Sequence, residues 1–144
     1  RRGGEPIALR LAALLKELEG EAPPVGAVDI TLYRDDAATA LPNPKIGPSY
    51  IPLSVDGKRI LLVDDVISTG RTIRAALDAV LDYGRPKRIE LCVLVDRGGR
   101  ELPLHPDYTV RRVDVAPNAN IDVTVTNDEL WARVMNDSDA EVSR

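Results

Sequence analysis

A chain of 144 residues, 44% hydrophobic and 29% charged, is long enough for one domain with its own core. The formal net charge of −4 argues against indiscriminate nucleic-acid binding, and four Tyr, one Trp and no Phe exclude a broad stacking platform for bases. No apolar run could span a bilayer, no secretory pattern is seen, and Cys92 is the only cysteine. These features predict a cytoplasmic protein without an internal disulfide or a membrane partner.

The first third of the chain predicts a helix, a strand and a long loop. Apolar residues recur at helical spacing over residues 5–20, with a glycine at the end. Alternating apolar and polar residues over 28–33 predict a half-buried strand. The polar, proline-rich stretch 34–52 is expected to form a long loop of the kind that often covers a binding site.

The middle of the chain predicts a strand–helix–strand unit. The apolar run "KRILLVDD", residues 58–65, is typical of a buried strand. An amphipathic helix is predicted over 71–84, and "RIELCVLVD", residues 88–96, predicts the next buried strand. Two strands joined in this way lie parallel in one sheet with a right-handed crossover. The fold class is therefore α/β, with a central parallel sheet flanked by helices.

The last third is expected to be less regular. An irregular insert is predicted over 102–108, followed by short strands over 110–115 and 121–126. Trp131 and Val134 are interpreted as a helical core contact, three residues apart. The polar tail after residue 135 is expected to fray. Without an internal repeat, residues 1–144 are interpreted as a single domain.

The stretch "VDDVISTGRT", residues 63–72, carries the chemistry. The strand is expected to end at Asp64-Asp65, and a turn over 66–70 leads into the helix. A helix N-terminus offers unpaired N–H groups and a positive dipole end, which favour a phosphate. Nearby hydroxyl groups and Arg71 add donors, and Gly70 allows close approach of the backbone. The turn is therefore predicted to bind a phosphate.

The two carboxylates need a partner other than phosphate. Vicinal ribose hydroxyls and Mg²⁺ are the natural partners, so a phosphorylated ribose would satisfy both halves of the stretch. A P-loop is excluded because Arg71 replaces the required lysine before Thr72. Two alternatives stay open: a capped helix after a buried strand, and a receiver domain, although no lysine follows a late strand.

These residues resemble a known family. "ILLVDDVISTGRT" closely resembles the 5-phosphoribosyl-1-pyrophosphate (PRPP) motif of type I phosphoribosyltransferases. "VDITLYRDD" and "LCVLVDRGGRELPLHPDY" are similar to the branch that combines uracil phosphoribosyltransferase activity with regulation of pyrimidine operons. The resemblance implies a sheet flanked by helices, with a small hood and a flexible loop. It also implies conversion of uracil and PRPP to UMP and pyrophosphate with Mg²⁺ as cofactor.

The resemblance also implies roles for individual residues, but no catalytic nucleophile. The acidic pair would bind ribose hydroxyls and Mg²⁺, and the following turn would wrap the 5′-phosphate. A basic loop would hold pyrophosphate, a lid would open at an arginine, and the end of a strand would contact the base. In that order the residues are Asp64 and Asp65; Val66, Ile67, Ser68, Thr69, Gly70, Arg71 and Thr72; Arg2 and Gly3; Arg34; and Val95, Asp96 and Arg97.

Each of the last three sets has a plainer alternative. Arg2 and Gly3 could form a frayed basic terminus, and Arg34 could pair with a neighbouring aspartate at the surface. Residues 95–97 could be an ordinary strand end and turn.

A role in RNA binding is the second expectation. Arg100, Arg111 and Arg112 are the candidates for a surface that binds pyrimidine-operon leader RNA, and solvated arginines are the alternative. The sequence departs from the family here, because Gly99 stands where the family has histidine and "TVRR" replaces "VGKN". A transferase for another base and a nucleotide sensor without turnover stay open. Family members self-associate, so a homo-oligomer is expected.

The opening "RRGGEP" lacks the strand that the resemblance places before the pyrophosphate loop. We therefore expect further residues ahead of Arg1, forming a strand beside the one that carries Asp64.

Overall fold

The structure is a computed structural model that describes residues 4–33, 49–125 and 129–135. Within these residues, two α-helices accompany five strands and a short 3-10 helix at Thr31–Tyr33. The helices are α1 (Gly4–Glu19) and α2 (Arg71–Leu81). The strands are β1 (Arg59–Ile67), β2 (Arg88–Asp96), β3 (Tyr108–Arg112), β4 (Asn120–Val125) and β5 (Leu130–Met135).

The three strands β1, β2 and β3 form a parallel sheet in that order. The predicted strand–helix–strand unit is confirmed as β1–α2–β2. Ile67 pairs with Asp96, and Asp96 pairs with Arg112, so the three strands end level with one another. Strands β4 and β5 form a separate antiparallel pair. The α/β fold class, with a parallel sheet flanked by helices, is confirmed.

Both long helices follow from their sequences. In α1, Glu5 lies in the first turn and Lys16 in the last, which suits the helix dipole. The chain leaves α1 at Gly20, whose N–H donates to the Lys16 carbonyl at 2.8 Å. Helix α2 buries one alanine-rich face, including Ile73, against the sheet.

The core lies between α2 and the sheet. Its centre is Ile67 from β1, Ile73 from α2, and Leu91 and Val93 from β2. Leu104 from the loop after β2 packs against them. Burying each such side chain contributes about 1.5–3 kcal/mol, so this cluster holds the loops at the ends of β1 and β2 in place.

The predicted strand over residues 28–33 is wrong. The segment carries an isolated bridge between Ala27 and Tyr50 and then the 3-10 turn. Asp29 causes the turn, because its Oδ1 accepts the Thr31 N–H at 2.8 Å and offers the backbone a local alternative to a strand ladder. The Tyr33 hydroxyl then donates to Asp82 next to the end of α2.

Three further expectations need correction. Trp131 and Val134 lie in strand β5 and not in a helix, and both side chains are exposed. Strand β1 continues past the acidic pair to Ile67, so the turn is shorter than predicted. The third strand was also predicted two residues late, since β3 begins at Tyr108.

Strand β1 has one neighbour, β2, among the described strands. A cavity of about 560 Å³, lined largely by apolar side chains of α1, β1 and α2, lies alongside it. The additional strand expected from the sequence stays a prediction. The tail after residue 135 and most of the expected lid, residues 34–48, lie outside the described residues. Within the described part of the chain, no helix is long and apolar enough to cross a membrane.

Candidate active site at the carboxyl ends of the parallel strands

The acidic pair lies near the end of β1 with its carboxylates held by the main chain. Asp64 Oδ1 accepts the Asp65 N–H at 2.8 Å, and Asp65 Oδ1 accepts the Val66 N–H at 2.7 Å. Both side chains are half-buried. Each carboxylate thus uses one oxygen to fix its orientation, and a carboxylate can accept further hydrogen bonds through the other.

The environment of Asp64 disfavours its charge. Burial, together with the neighbouring Asp65 carboxyl, raises the pKa of Asp64 to about 7. A cation or a set of hydroxyl donors at this point would favour the ionised form again. Such a perturbed carboxyl at a strand end is typical of a functional site, although structural networks also perturb pKa values.

The end of β1, the turn that follows it and the start of α2 enclose a small pocket. The pocket has a volume of about 100 Å³ and is lined by residues 66–70 with Thr72 and Ile73. Gly70 precedes α2 with φ +92°, a conformation that L-residues rarely adopt, and as the N-cap residue it has no side chain with which to cap the helix. The Arg71 N–H donates to Thr69 Oγ1 at 3.2 Å, and the positive end of the α2 dipole lies beside a pocket of phosphate size.

The loop after β2 packs against this phosphate-sized pocket. The Thr69 carbonyl accepts the N–H groups of Glu101 and Leu102 at 2.9 and 3.1 Å. The Arg71 Nε donates to Glu101 Oε1 at 2.7 Å, which joins the start of α2 to the same loop. Arg71, a predicted phosphate ligand, thus has Glu101 as a partner.

The residues predicted to contact a base lie beside the pocket. The register pairs Val66 with Val95 and Ile67 with Asp96, so the two strand ends are adjacent. Val95 is only 3% exposed and faces the protein interior. Asp96 is also 3% exposed and accepts the Gly98 N–H at 3.0 Å. Arg97 is the half-exposed member of the three.

The three arginines predicted to contact RNA differ in their environments. Arg111 and Arg112 are exposed on β3. Arg100 is not, because its side chain is 18% exposed and forms a 2.7 Å ion pair with Asp96. Its guanidinium also donates to the main-chain carbonyls of Ser68 and Leu104. Arg100 thus uses these donors inside the protein, and its contact with RNA stays a prediction.

The start of α1 also touches the site, through a residue that the sequence analysis did not single out. A Cβ on Gly4 would lie 2.1 Å from the Val63 carbonyl oxygen, so only glycine allows this close approach to β1. The neighbouring Arg2 and Gly3, predicted to bind pyrophosphate, lie outside the described residues. Arg34, predicted to open the lid, also lies outside them.

The family comparison agrees with this geometry. The family described as "Phosphoribosyl transferase domain" matches residues 1–128. The chain therefore belongs to the phosphoribosyltransferase family. Hypoxanthine phosphoribosyltransferase of Trypanosoma cruzi is a structural neighbour, with a TM-score of 0.47 and 20% identity over 97% of this chain and 88% of that one.

The curated relatives show which branch of the phosphoribosyltransferase family the chain resembles. The "Bifunctional protein PyrR" of Pelotomaculum thermopropionicum is 50% identical over 135 residues, which are 94% of this chain and 75% of that protein. The protein of the same name from Geobacter sulfurreducens is 52% identical over 123 residues, 85% of this chain and 70% of that protein. Within the phosphoribosyltransferase family, the chain is thus a PyrR-type sequence.

Proposed function

We propose that this phosphoribosyltransferase uses uracil, converting uracil and PRPP to UMP and pyrophosphate. The observation that carries the proposal is the adjacency of Asp64 and Asp65 to the pocket at the start of α2, at the level ends of parallel strands. Ligands of open α/β sheets bind at this edge. Its likeness to PyrR sequences supports uracil as the base.

Different groups of the chain bind different parts of PRPP. The first turn of α2 and the hydroxyls of residues 66–72 hold the 5′-phosphate. The carboxylates of Asp64 and Asp65 accept hydrogen bonds from the ribose hydroxyls. In this pose the anomeric carbon faces the end of β2, where Arg97 lies at the surface. The sugar is thereby oriented toward the base, which lowers the entropic part of the barrier.

The reaction exchanges one bond at the anomeric carbon for another. The bond to the pyrophosphate oxygen breaks and its electron pair leaves with that oxygen, a bond to a uracil ring nitrogen forms, and the proton of that nitrogen passes to water or to the departing pyrophosphate. Positive charge develops on the sugar while it is held near the two carboxylates, which stabilise that charge. No side chain need act as a strong base, since uracil can lose its proton late.

The acidic pair also fits Mg²⁺. Among residues 4–33, 49–125 and 129–135, no cluster of three or more metal-binding side chains exists. Asp64 and Asp65 would therefore supply at most two ligands, and PRPP and water the rest, which is the usual mode for Mg²⁺. The raised pKa of Asp64 supports the fit, because a cation would offset the cost of its charge. When bound, Mg²⁺ would offset the charge on the leaving pyrophosphate.

A turnover assay of the full chain tests the proposal. PRPP and Mg²⁺ are supplied with uracil, cytosine, hypoxanthine and guanine in parallel, and product nucleotide is separated by chromatography. UMP formation alone supports the proposal. Turnover of another base would replace uracil as substrate, and PRPP binding without turnover would support a nucleotide sensor. Sedimentation of the same sample tests the expected homo-oligomer.

We also propose regulation of pyrimidine genes through nucleotide-dependent binding to leader RNA. The observation that favours it is the pair of exposed arginines, Arg111 and Arg112, on β3 of an otherwise acidic chain. They pair in register with Val95 and Asp96, beside the proposed nucleotide site. A bound nucleotide could therefore influence an RNA surface at this strand.

A further inference from the structure

We propose that Arg100 is a positioning residue for the phosphate loop, residues 68–70 between β1 and α2, and that Asp96 is its anchor. This inference rests on the proposed binding of PRPP but not on the identity of the base. The Arg100 side chain contacts the loop by donating a hydrogen bond to its main chain, at the Ser68 carbonyl. The sequence predicted contact with RNA for Arg100 and not this role.

Arg100 donates four hydrogen bonds to three residues. Its Nη1 and Nη2 donate to the two carboxylate oxygens of Asp96 at 2.9 and 2.7 Å. Nη1 also donates to the Ser68 carbonyl at 3.0 Å, and Nε donates to the Leu104 carbonyl at 2.7 Å. One planar group thus joins the end of β2, the phosphate loop and the next loop.

The anchor is rigid because it belongs to the sheet. Asp96 is the last residue of β2, is 3% exposed and pairs with Ile67 on one side and Arg112 on the other. A buried bidentate pair fixes the orientation of the guanidinium as well as its position. Ser68 has no such support from its own strand, since β1 ends at Ile67.

The carbonyl at Ser68 sets the direction of the N–H groups that follow. If this carbonyl rotates, the peptide plane between Ser68 and Thr69 turns with it, and so does the N–H of Thr69. The pocket lined by residues 66–70 then loses its shape for a phosphate. Arg100 therefore acts on the phosphate through the main chain, without touching it.

The sequence makes this link through two glycines. Gly98 and Gly99 have φ values of +74° and +76°, which turn the chain back so that Arg100 lies over Asp96, four residues earlier. Residues other than glycine rarely adopt a positive φ at two successive positions. Gly99 thus contributes to the turn that places Arg100 beside Asp96.

The test compares Arg100→Gln and Arg100→Lys with Arg59→Gln in the full chain. Arg59 also bridges strands through a 2.9 Å ion pair with Glu90, but it lies at the opposite end of β1. PRPP affinity is measured by calorimetry with Mg²⁺, with a melting curve for each variant. We expect roughly 10- to 100-fold weaker PRPP binding in Arg100→Gln and no change in Arg59→Gln.

Arg100→Lys separates positioning from stability. Lysine keeps the charge beside Asp96 but cannot reproduce the forked set of hydrogen bonds. It should restore the melting temperature more fully than the PRPP affinity. Affinity that follows the melting temperature across all variants would overturn the inference, because it would indicate a purely structural role.

Amide hydrogen exchange tests the role of Arg100 without any ligand, and so independently of the proposed function. In the ligand-free protein, Arg100→Gln should speed exchange of the Thr69–Thr72 amides and leave the amides of β3 unchanged. Unchanged exchange in that segment would overturn the positioning role. If the wild type binds no PRPP at all, the proposed function fails, while the exchange result still decides the role of Arg100.

Discussion

Asp64 and Asp65 are joined head to tail, since the Asp65 N–H donates to Asp64 Oδ1 at 2.8 Å. We predict that Asp64→Asn or Asp65→Asn weakens PRPP binding by roughly 1.5–3 kcal/mol, through loss of a charge-assisted contact. The melting temperature should not fall at neutral pH in Asp64→Asn, because that carboxyl is already costly to ionise. Calorimetry with Mg²⁺ and a melting curve provide the measurements. Unchanged affinity in both variants would contradict the ribose role.

Gly4→Ala should destabilise the protein by roughly 1–3 kcal/mol, because the new methyl group would lie 2.1 Å from the Val63 carbonyl oxygen. Helix propensity alone predicts the opposite sign, a gain of about 1 kcal/mol for alanine over glycine. Urea unfolding of the wild type and the variant decides between the two. A more stable variant would mean that α1 does not approach β1 this closely.

Stability should depend on Asp96 in a pH-specific manner. Hydrogen bonds from Arg100 hold the pKa of Asp96 below its ordinary value of 3.8. The carboxylate therefore stabilises the fold above that value, and the contribution is lost as the pH falls through the folded pKa. Asp96→Asn should lower the free energy of unfolding by roughly 1.5–3 kcal/mol near neutral pH.

This difference between wild type and Asp96→Asn should shrink below about pH 4, as measured by urea unfolding at several pH values. The exposed Asp122 in β4 provides a control, since Asp122→Asn should change the free energy of unfolding little. A difference for Asp96→Asn that persists undiminished in acid would rule out a contribution from its charge.

Removal of Arg111 or Arg112 should change the salt dependence of RNA binding. If each neutralises one phosphate of single-stranded RNA, each change to glutamine should flatten the slope of log affinity against log salt by roughly 0.7. Gel-shift titrations against pyrimidine leader RNA, with UMP present, measure the slope. Arg59→Gln, at the other end of the sheet, is the matched control and should leave it unchanged. Equal slopes in all variants would argue against an RNA surface on β3.

Gly99→Ala should lower the free energy of unfolding by about 1 kcal/mol, because φ is +76° there. Gly57→Ala is a matched control, with φ +70° and open space around it. Both variants should lose similar stability in urea, but only Gly99→Ala should weaken PRPP binding, since only Gly99 lies in the turn before Arg100. Equal PRPP affinities in the two variants would separate this turn from the phosphate loop.

The local elements that the sequence predicted correctly have strong periodic patterns. Strands β1 and β2 are marked by apolar runs, and helix α2 is marked by apolar residues that repeat over several turns. Because burial requires these patterns, all three elements could be predicted. The adjacency of acidic pair and helix start followed, because both lie within ten residues of sequence. The strand over 28–33 failed because Asp29 forms a local turn, and Asp two residues before Thr31 was the available signal.

Contacts between residues that are far apart in the sequence could not be predicted in the same way. The bond from Arg100 to Ser68 joins residues 32 apart, and the approach of Gly4 to Val63 joins two separate elements. Neither leaves a periodic pattern in the local sequence. Trp131 and Val134 failed for a related reason, since a single pair three residues apart is too short to separate helix from strand.

Strands β1 and β2 end at the same edge of the sheet, and this matters for any attempt to change the base specificity of the enzyme. If residues 95–97 contact the base and Arg100 positions the phosphate loop, as proposed, a substitution selected in this turn for a new base would also weaken binding of every ribose phosphate ligand, since Arg100 donates to the Ser68 carbonyl. Laboratory evolution toward a different base should therefore accept changes first outside residues 96–101. A loop exchanged with a relative of different preference will succeed more often when it brings its own partner for the Ser68 carbonyl.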